Sequence, residues 1–290
     1  MVLPYPLASQ PRPAEGRQLP VRIEPGAFPY YGGSLRIVNT RLPHLPPHTK
    51  RLIEPFCGSA VFSLNAPWIP LRVLNDRYGD VIHLLRTIRE QPAELAYALS
   101  LTPYHRLEFT TALQPIPLGI DDIERARRIF VRFSMARAGG GRLLVPSDWS
   151  RSLTEERRGM AGAVSRFRSR VARFDSLAAR LATVQFEAVD FEELAVYDHT
   201  QAFWFLDPPW EPVTRSPGNG HKYAFEFTAD DYERLARFAH RLRGPVLVLG
   251  YDGGCLARHF ANWRRTTFDV MLSAGAGRGQ RQVVGWLKGM

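Results

Sequence analysis

The stretch FWFLDPPWEP (203–212) joins an apolar run directly to an acid, two prolines and a tryptophan. The apolar FWFL predicts a buried strand, so Asp207 lies at the carboxyl end of a strand, where open α/β folds place their ligands. Pro208 and Pro209 fix the backbone and expose carbonyls without competing amide protons. Trp210 supplies a broad ring face for stacking. The stretch therefore predicts both a sheet strand and a ligand site at its end.

These four residues suit the binding of a planar ring that carries an exocyclic amine. Asp207 and the carbonyl of Pro208 can each accept a hydrogen bond from the amine, which directs its delocalised lone pair toward an electrophile, while Trp210 stacks on the ring. An adenine amine is a poor nucleophile until it is held in this way. The alternative is a strand-end turn in which Asp207 caps a backbone amide and Trp210 belongs to the core.

The sequence on both sides of this stretch alternates strand and helix patterns. Short apolar runs that end in polar or turn residues predict strands, and apolar residues spaced by three and four predict helices. The predicted strands are 51–56, 71–76, 184–191, 203–207, 245–251, 265–272 and 281–287. The predicted helices outside the middle of the chain are 80–90 and 230–242. This alternation is typical of an α/β fold.

Two loops that follow predicted strands have the features of a nucleotide site. IEPFCGSAVFSL (53–64) runs from a strand through the small residues 57–60 into an apolar helix start, and glycine and small side chains there let a ligand approach the backbone closely. NDR (75–77) ends the next strand about twenty residues later, at the distance where α/β nucleotide sites place an acid on a ribose hydroxyl. The order and spacing of these loops indicate the site more strongly than either loop alone.

The middle of the chain, residues 100–182, predicts helices with basic faces. Apolar residues mark one face of a helix over 120–137 and of a longer helix or helix pair over 154–183, while arginines occupy the other faces. The loop RAGGGR (137–142) lies between them. We interpret residues 100–182 as a helical insertion whose arginines track phosphates. The alternative is that these arginines form a solvated helix surface.

The charge balance favours a polyanionic partner. Lysine and arginine together number 38 against 28 acidic residues, which gives a net charge of +10. Such an excess can neutralise phosphates with release of counterions. An arginine-rich proteome is the alternative explanation of the same composition.

Cysteine content and hydropathy predict a protein of the reducing cytoplasm. Cys57 and Cys255 are too few for a disulfide framework or a cysteine-based zinc site, and the histidines lack ligand spacing, so we expect no metal. No stretch approaches the roughly 18 apolar residues of a membrane span, and the N-terminus lacks a signal-peptide pattern. Residues 1–29 contain seven prolines and predict an extended or disordered arm, with the folded part beginning near Tyr30.

In its motifs the chain resembles the Dam-type DNA adenine methyltransferases, which move a methyl group from S-adenosylmethionine (SAM) to the N6 amine of adenine. The resemblance covers most of the chain from Tyr30 onward, in the family's order. It rests on YYGGS (30–34), EPFCGSAVF (54–62), NDRYGDVIHLL (75–85), VDF (189–191), LDPPW (206–210), KYAF (222–225) and DDYERLA (230–236). It implies a Rossmann-like mixed sheet, with 30–99 and 183–290 as the SAM-binding catalytic domain and 100–182 as a target-recognition insertion.

The resemblance also implies roles by position. The cofactor residues would be Tyr31, Gly32 and Gly33 at the methionine end of SAM, Phe56, Cys57, Gly58, Ser59 and Ala60 along its pocket, Asp76 at the ribose, and Asp190 and Phe191 at the adenine. The residues that hold the target base would be Asp207, Pro208, Pro209 and Trp210. The candidate DNA-contacting arginines are Arg137, Arg142, Arg166 and Arg170.

Two positions depart from the family's pattern. The first block ends in lysine in the family, Y-x-G-G-K, where this chain has Ser34, so a cation near the cofactor is lost unless another arginine, such as Arg36, replaces it. The catalytic block is D-P-P-Y in the family, and Trp210 keeps the ring face of the tyrosine but lacks its hydroxyl. Both positions bear on activity rather than on ancestry.

The resemblance implies direct methyl transfer to an adenine rotated out of double-stranded DNA, with no covalent enzyme intermediate. A restriction nuclease is a candidate partner. Cytosine N4 and RNA stay open as substrates, and methylation of a protein amide is a weaker option because the basic insertion points to nucleic acid. An alternative of a different class is a catalytically silent nucleic-acid-binding protein. Ser34 favours this alternative, whereas the intact Asp207 argues against it.

Overall fold

A seven-stranded sheet forms the centre of the protein in a computed structural model that describes residues 23–32, 38–137, 144–212, 223–271 and 280–290. The strands are β1 (Arg51–Glu54), β2 (Leu71–Asn75), β3 (Glu156–Arg157), β4 (Met160–Ala161), β5 (Val184–Glu187), β6 (Ala202–Leu206), β7 (Val246–Tyr251), β8 (Arg264–Met271) and β9 (Gln280–Lys288). The sheet order is β5-β2-β1-β6-β7-β9-β8, and β3 and β4 form a separate hairpin. Neighbours from β5 to β7 are parallel, whereas β9 is antiparallel to both β7 and β8. The predicted α/β class and the Rossmann-like mixed sheet are confirmed.

The strand predicted from FWFL, β6, lies between β1 and β7 inside the sheet. All of its residues are buried, because a parallel strand in this position is covered on both faces. Trp204 and Leu206 belong to one hydrophobic core, and Phe203 and Phe205 belong to another. Each strand of the sheet coincides with a predicted run, and the largest difference is at β5, which ends at Glu187 rather than at residue 191.

Helices pack on both faces of the sheet. They are α1 (Val38–Arg41), α2 (Val61–Leu64), α3 (Gly79–Glu90), α4 (Pro92–Ser100), α5 (Arg106–Ala112), α6 (Asp122–Ser134), α7 (Gly162–Val171), α8 (Phe174–Leu181), α9 (Ala229–Arg241) and α10 (Cys255–His259). Helix α9 joins the core of Trp204, and α1 and α2 join the core of Phe203. Helices α3 and α9 match the predicted ones. Within the described ranges, no helix is long and apolar enough to cross a membrane.

The helical insertion contains α5 to α8 and the β3–β4 hairpin. The predicted helix over 120–137 is α6, and the helix or helix pair predicted over 154–183 is the pair α7 and α8. Phe130 of α6 meets Phe167 and Phe174 edge-on, with ring centroids 5.5 and 5.3 Å apart. The same hydrophobic cluster includes apolar side chains of α3, so the insertion shares a core with the α/β part. Its separate identity as a target-recognition domain stays a prediction.

Residues 23–29, the end of the segment predicted as an arm, pack against this core. Phe28 is buried and stacks on Phe133 with ring centroids 5.0 Å apart. The backbone N–H of Glu24 donates to Oδ1 of Asn65 at 2.8 Å. The folded part of the chain therefore includes residues before Tyr30, and residues 1–22 of the predicted arm lie outside the described residues.

Candidate active site

A cleft lies at the carboxyl ends of the parallel strands, where the sequence predicts the ligand site. Its empty volume is about 960 Å³ with open solvent included. Its walls come from the loops after β1, β2, β5 and β6, and from residues 30–32 and 223–227. The predicted site residues that line it are Tyr31, Gly32, Phe56, Cys57, Gly58, Ser59, Asp76, Asp190, Phe191, Asp207 and Pro209. One cleft thus contains most of the predicted cofactor residues together with two of the predicted base-binding residues.

Three of the described residues predicted to bind the cofactor or the target base do not line the cleft. Ala60 is fully buried and precedes α2 with a positive φ of 59°. Pro208 and Trp210 lie beside the cleft rather than in its lining. Four positions that the sequence analysis links to cofactor binding or DNA contact fall outside the described residues: Gly33, Ser34, Arg36 and Arg142.

The loop after β1 is held closely against its neighbours. Gly58 has a φ of +48°, and a Cβ there would lie 2.8 Å from Cδ1 of Tyr30, so only glycine fits at this position. The N–H of Cys57 donates to the carbonyl of Asn75 at 2.9 Å, which ties the loop to the end of β2. The small residues predicted to let a ligand approach also let Tyr30 pack directly on the loop.

Asp76 is fixed by backbone donors at the end of β2. Its Oδ2 accepts from the N–H of Gly58 at 3.1 Å, and its Oδ1 accepts from the N–H of Tyr78 at 2.9 Å. Burial raises the pKa of Asp76 to about 6, although both hydrogen bonds act to lower it. Each carboxylate oxygen has room for a further hydrogen bond, so the group suits ribose hydroxyls, the role that the resemblance implies.

Aromatic rings form the wall beside Asp190. The ring of Phe191 lies 5.7 Å from that of Phe56 and 6.0 Å from that of Phe227, centroid to centroid. Oδ1 of Asp190 accepts from Nη2 of Arg234 at 2.8 Å, and the guanidinium of Arg234 also lies 5.1 Å from the centroid of Phe191. Such a wall binds the flat face of a ring, while the ion pair makes its edge polar.

The carboxylate of Asp207 contacts the side chains of Trp210 and Arg41. Nε1 of Trp210 donates to its Oδ1 at 3.0 Å, and Nη1 of Arg41 lies 3.5 Å from its Oδ2. The indole of Trp210 also packs edge-on against Tyr251, with ring centroids 4.4 Å apart. The ring that the sequence predicts to stack on a ligand therefore contacts Asp207 and Tyr251 in this structure.

Glu54 is a buried acid of the cleft to which the sequence analysis assigned no role. Burial raises its pKa to about 8, and Asp207 raises it further, whereas a backbone hydrogen bond at Ser63 and the charge of Arg72 lower it. The guanidinium of Arg72 has partners of its own, since it donates to the carbonyl of Ser63 at 3.0 Å and to Oγ1 of Thr183 at 2.8 Å. Glu54 therefore retains its proton near neutral pH.

Other lining residues were also missed in the sequence. They are Tyr30, Asn75, Arg77, Tyr78 and Phe227. The amide of Asn75 donates to the carbonyls of Pro55 and Val189 at 2.9 and 3.1 Å and accepts from the N–H of Val189 at 2.9 Å, so it joins the ends of β1, β2 and β5. All but Phe227 lie inside the motif blocks YYGGS and NDRYGDVIHLL. Their place in these blocks is the sequence feature that could have identified them.

The candidate DNA-contacting arginines lie in different environments. Arg137 is exposed. Arg166 donates to Glu155 at 2.6 Å. Arg170 is partly buried, where burial lowers its pKa to about 10, and its Nη1 lies 3.4 Å from the carbonyl of Ser134. Their contacts with DNA stay predictions.

The sequence of the chain matches a known protein family over most of its length. The D12 class N6 adenine-specific DNA methyltransferase family matches residues 30–252, which contain every motif of the resemblance. No curated protein matches the chain. Within the part of the chain that the structure describes, no group of three or more His, Cys, Asp or Glu side chains has the arrangement of a metal site.

Proposed function

Because the chain belongs to the D12 class of N6 adenine-specific DNA methyltransferases, we propose that its cleft binds SAM together with an adenine rotated out of duplex DNA. The family's enzymes depend on SAM and methylate adenine N6 in DNA. The observation that carries the proposal is that one cleft combines Asp76 and an aromatic wall with Asp207 and Pro209. Cofactor and base would then meet in a single site, as direct transfer requires.

The donor groups of the cleft fit SAM. Asp76, oriented by two backbone amides, offers acceptors for both ribose hydroxyls. The rings of Phe56 and Phe191 offer faces for the adenine, and Tyr31 and Gly32 lie on the same cleft for the methionine end. When bound, SAM supplies a methyl group on a positively charged sulfur, which is open to attack by an amine.

Asp207 is the group that we propose to bind the N6 amine of the target adenine. An ionised carboxylate accepts a hydrogen bond from the amine and leaves the nitrogen lone pair free to point at the methyl donor. The Pro209 carbonyl accepts from the hydroxyl of Tyr232 at 2.7 Å, which holds the turn after β6 in place. The Pro208 carbonyl stays the predicted second acceptor for the amine.

The DNA-contacting surface is also a proposal. The net charge of +10 and the exposed Arg137 support phosphate contacts by the helical insertion. Recognition sequence and base contacts depend on side chains that reach base edges. The restriction-nuclease partner and the cytoplasmic location expected from the sequence stay predictions.

The test compares wild-type protein with Asp207→Ala in methyl transfer from labelled SAM to mixed-sequence duplex DNA, followed by digestion to nucleosides. Glu94→Ala, an exposed acid on α4, is the matched control. We expect label in N6-methyladenine for wild type and control. We expect a loss of about a thousandfold for Asp207→Ala, because such a donor–acceptor contact acts mainly in the transition state.

Each alternative gives a different result in the same assay. Label in methylcytosine would identify cytosine as the target base, and label in RNA supplied in place of DNA would identify RNA as the substrate. Binding of SAM and DNA without transfer, on DNA that contains every short recognition sequence, would identify a silent scaffold. Failure of the wild-type protein to bind SAM would contradict the proposal altogether.

A further inference from the structure

Arg41, the last residue of α1, has an unusual environment for a charged side chain. Its side chain has no exposed surface. Within the described part of the chain, Nε, Nη1 and Nη2 all lack a hydrogen-bond partner. A buried cation is strongly destabilising unless an opposite charge and hydrogen bonds compensate it. The position of Arg41 therefore calls for an explanation other than stability.

The charge that faces Arg41 is Asp207. Oδ2 of Asp207 lies 3.5 Å from Nη1 of Arg41, while the rings of Phe205 and Phe268 lie 5.8 and 5.6 Å from the guanidinium carbon. Burial lowers the pKa of Arg41 to about 10, and Asp207 acts to raise it. Arg41 thus stays charged at neutral pH, with Asp207 and two apolar rings beside its guanidinium.

Arg41 reaches the site only through Asp207, because it is not part of the cleft lining. The carboxylate then has Arg41 at Oδ2 and the indole N–H of Trp210 at Oδ1. The two contacts fix the rotation of the carboxylate.

We propose that Arg41 is a positioning residue for methyl transfer, which holds the carboxylate of Asp207 oriented toward the amine of the target base. This inference rests on the proposed function of the cleft. In an apolar environment the interaction between the two charges is stronger than in water. Arg41 would thereby hold the carboxylate of Asp207 in place from outside the cleft lining.

The first test does not depend on activity. Asp207→Asn removes the opposite charge and leaves the guanidinium buried and uncompensated, so we expect the melting temperature to fall by about 5–8 °C. Arg41→Met replaces the guanidinium with an apolar chain, and we expect the double variant Arg41→Met/Asp207→Asn to regain most of that loss. Independent, additive effects of the two substitutions would contradict a direct interaction.

The second test separates positioning from packing. In single-turnover methyl transfer with SAM and DNA both saturating, we expect Arg41→Met and Arg41→Gln to react about 100-fold more slowly than wild type, since misplacement of a reacting group has costs of this size. Arg41→Lys keeps the charge and should stay within about tenfold of wild type. Dissociation constants for SAM and DNA should be unchanged in all three variants.

The outcomes are distinguishable. If wild type transfers no methyl group, the proposed function fails, and the stability cycle still measures the interaction of Arg41 with Asp207. If wild type is active and Arg41→Gln is equally fast, or if Arg41→Lys is as slow as Arg41→Gln, the positioning role is wrong. Should Arg41→Met not fold, the stability cycle uses Arg41→Gln instead, and the kinetic comparison of Arg41→Lys with Arg41→Gln decides.

Discussion

The cleft and the helical insertion treat charged residues in opposite ways. In the cleft, burial raises the pKa values of Glu54 and Asp76, and Asp207 faces a guanidinium whose nitrogens lack hydrogen bonds in the described part of the chain. In the insertion, Arg127 donates to Glu108 and to Glu124. Burial therefore makes ionisation unfavourable for acids of the cleft, whereas the insertion uses paired charges to hold its helices together.

The same contrast changes the meaning of the basic composition. Arg125 and Arg132 of α6 both pair with Asp80, which lies 45 and 52 residues earlier in the chain. Arg132 also donates to the hydroxyl of Tyr78 at 2.9 Å and so connects α6 with a residue that lines the cleft. Several insertion arginines are thus structural, and a count of basic residues overstates the surface that can meet DNA.

The largest effect expected from this contrast is on SAM binding by the buried acid Asp76 of the cleft. We expect Asp76→Ala to raise the dissociation constant for SAM by at least about 100-fold, because it removes hydrogen bonds from two ribose hydroxyls to a charged group, each worth about 1.5–3 kcal/mol. Isothermal titration calorimetry with SAM at pH 7.5 measures the change. Asp252→Ala, an exposed acid outside the cleft, is the control and should bind SAM as wild type does.

Acidification provides a check on the same residue. The pKa of Asp76 is about 6, so lowering the pH from 7.5 to 5 protonates its carboxyl and weakens SAM binding in the wild type. Asp76→Ala has no such group and should lose less affinity over this interval. Equal pH dependence in both proteins would show that another group controls binding.

The next effect belongs to the insertion and should concern stability alone. Arg127 is 17% exposed and donates to Glu108 at 2.8 Å and to Oγ1 of Thr102 at 3.3 Å. We expect Arg127→Ala to lower the free energy of unfolding by about 2 kcal/mol, because it removes the donor to the partly buried Glu108 and one of the donors to Glu124. Urea denaturation measures this loss, and the SAM affinity should not change.

Arg168→Ala is the matched control for this prediction, since Arg168 is exposed on α7. An exposed substitution of this kind changes stability by less than about 0.5 kcal/mol. If Arg127→Ala were as mild as Arg168→Ala, the insertion would be a solvated basic surface, as the alternative interpretation of the sequence has it, and the contrast between the two regions would disappear.

Local patterns in the sequence were sufficient to predict the strands and helices of the fold. Apolar runs such as FWFL predict strands because central parallel strands are buried on both faces, and β6 follows the predicted run to within one residue. Asp76 and Asp207 could be predicted for the site because each follows a strand end, and the carboxyl ends of parallel strands meet at one edge of a sheet. The Rossmann-like, mixed character of the sheet came from the resemblance rather than from periodicity, and its strand order was not predicted.

Contacts between distant segments of the chain could not be predicted from the sequence. Arg41 lies on a four-residue helix without a motif, and only the packing of α1 against β6 and β8 brings it to Asp207. Trp210 was predicted from its ring face, yet its indole N–H donates to Asp207, because the turn after β6 brings the two side chains together. Pairing of the α6 arginines with Asp80 depends likewise on how the insertion docks on α3.

Glu54 offers a test of the cost of charge in the cleft. Its pKa is about 8 in the folded protein against an ordinary 4.5, so between these values the folded state binds more protons than the unfolded state, and stability falls as the pH rises. Glu54→Gln cannot titrate, and we expect it to be about 1–2 kcal/mol more stable than wild type at pH 9. Urea denaturation at pH 5, 7 and 9 measures the difference.

Glu94→Gln, an exposed change on α4, is the control for the pH series. It should keep the wild-type decline in stability between pH 5 and 9, whereas Glu54→Gln should lose part of that decline. Asp76 contributes a decline in the same direction up to about pH 6, but it is present in all three proteins, so the difference between them isolates Glu54. A wild-type slope in Glu54→Gln would mean that Glu54 ionises normally and that its burial has no electrostatic cost.

The smallest expected effect concerns the arginines of the insertion that are not structural. Arg137 is exposed, and we expect Arg137→Ala to weaken DNA binding about three- to fivefold at low salt and to reduce the slope of log K against log salt by about 1, the value for one lost phosphate contact. Fluorescence anisotropy with duplex DNA over a salt series measures both quantities. Arg237→Ala removes an arginine that is 65% exposed on α9 and should leave the slope unchanged. An unchanged slope for Arg137→Ala would remove this residue from the DNA surface and would weaken the case that the insertion, rather than another basic face, contacts phosphates.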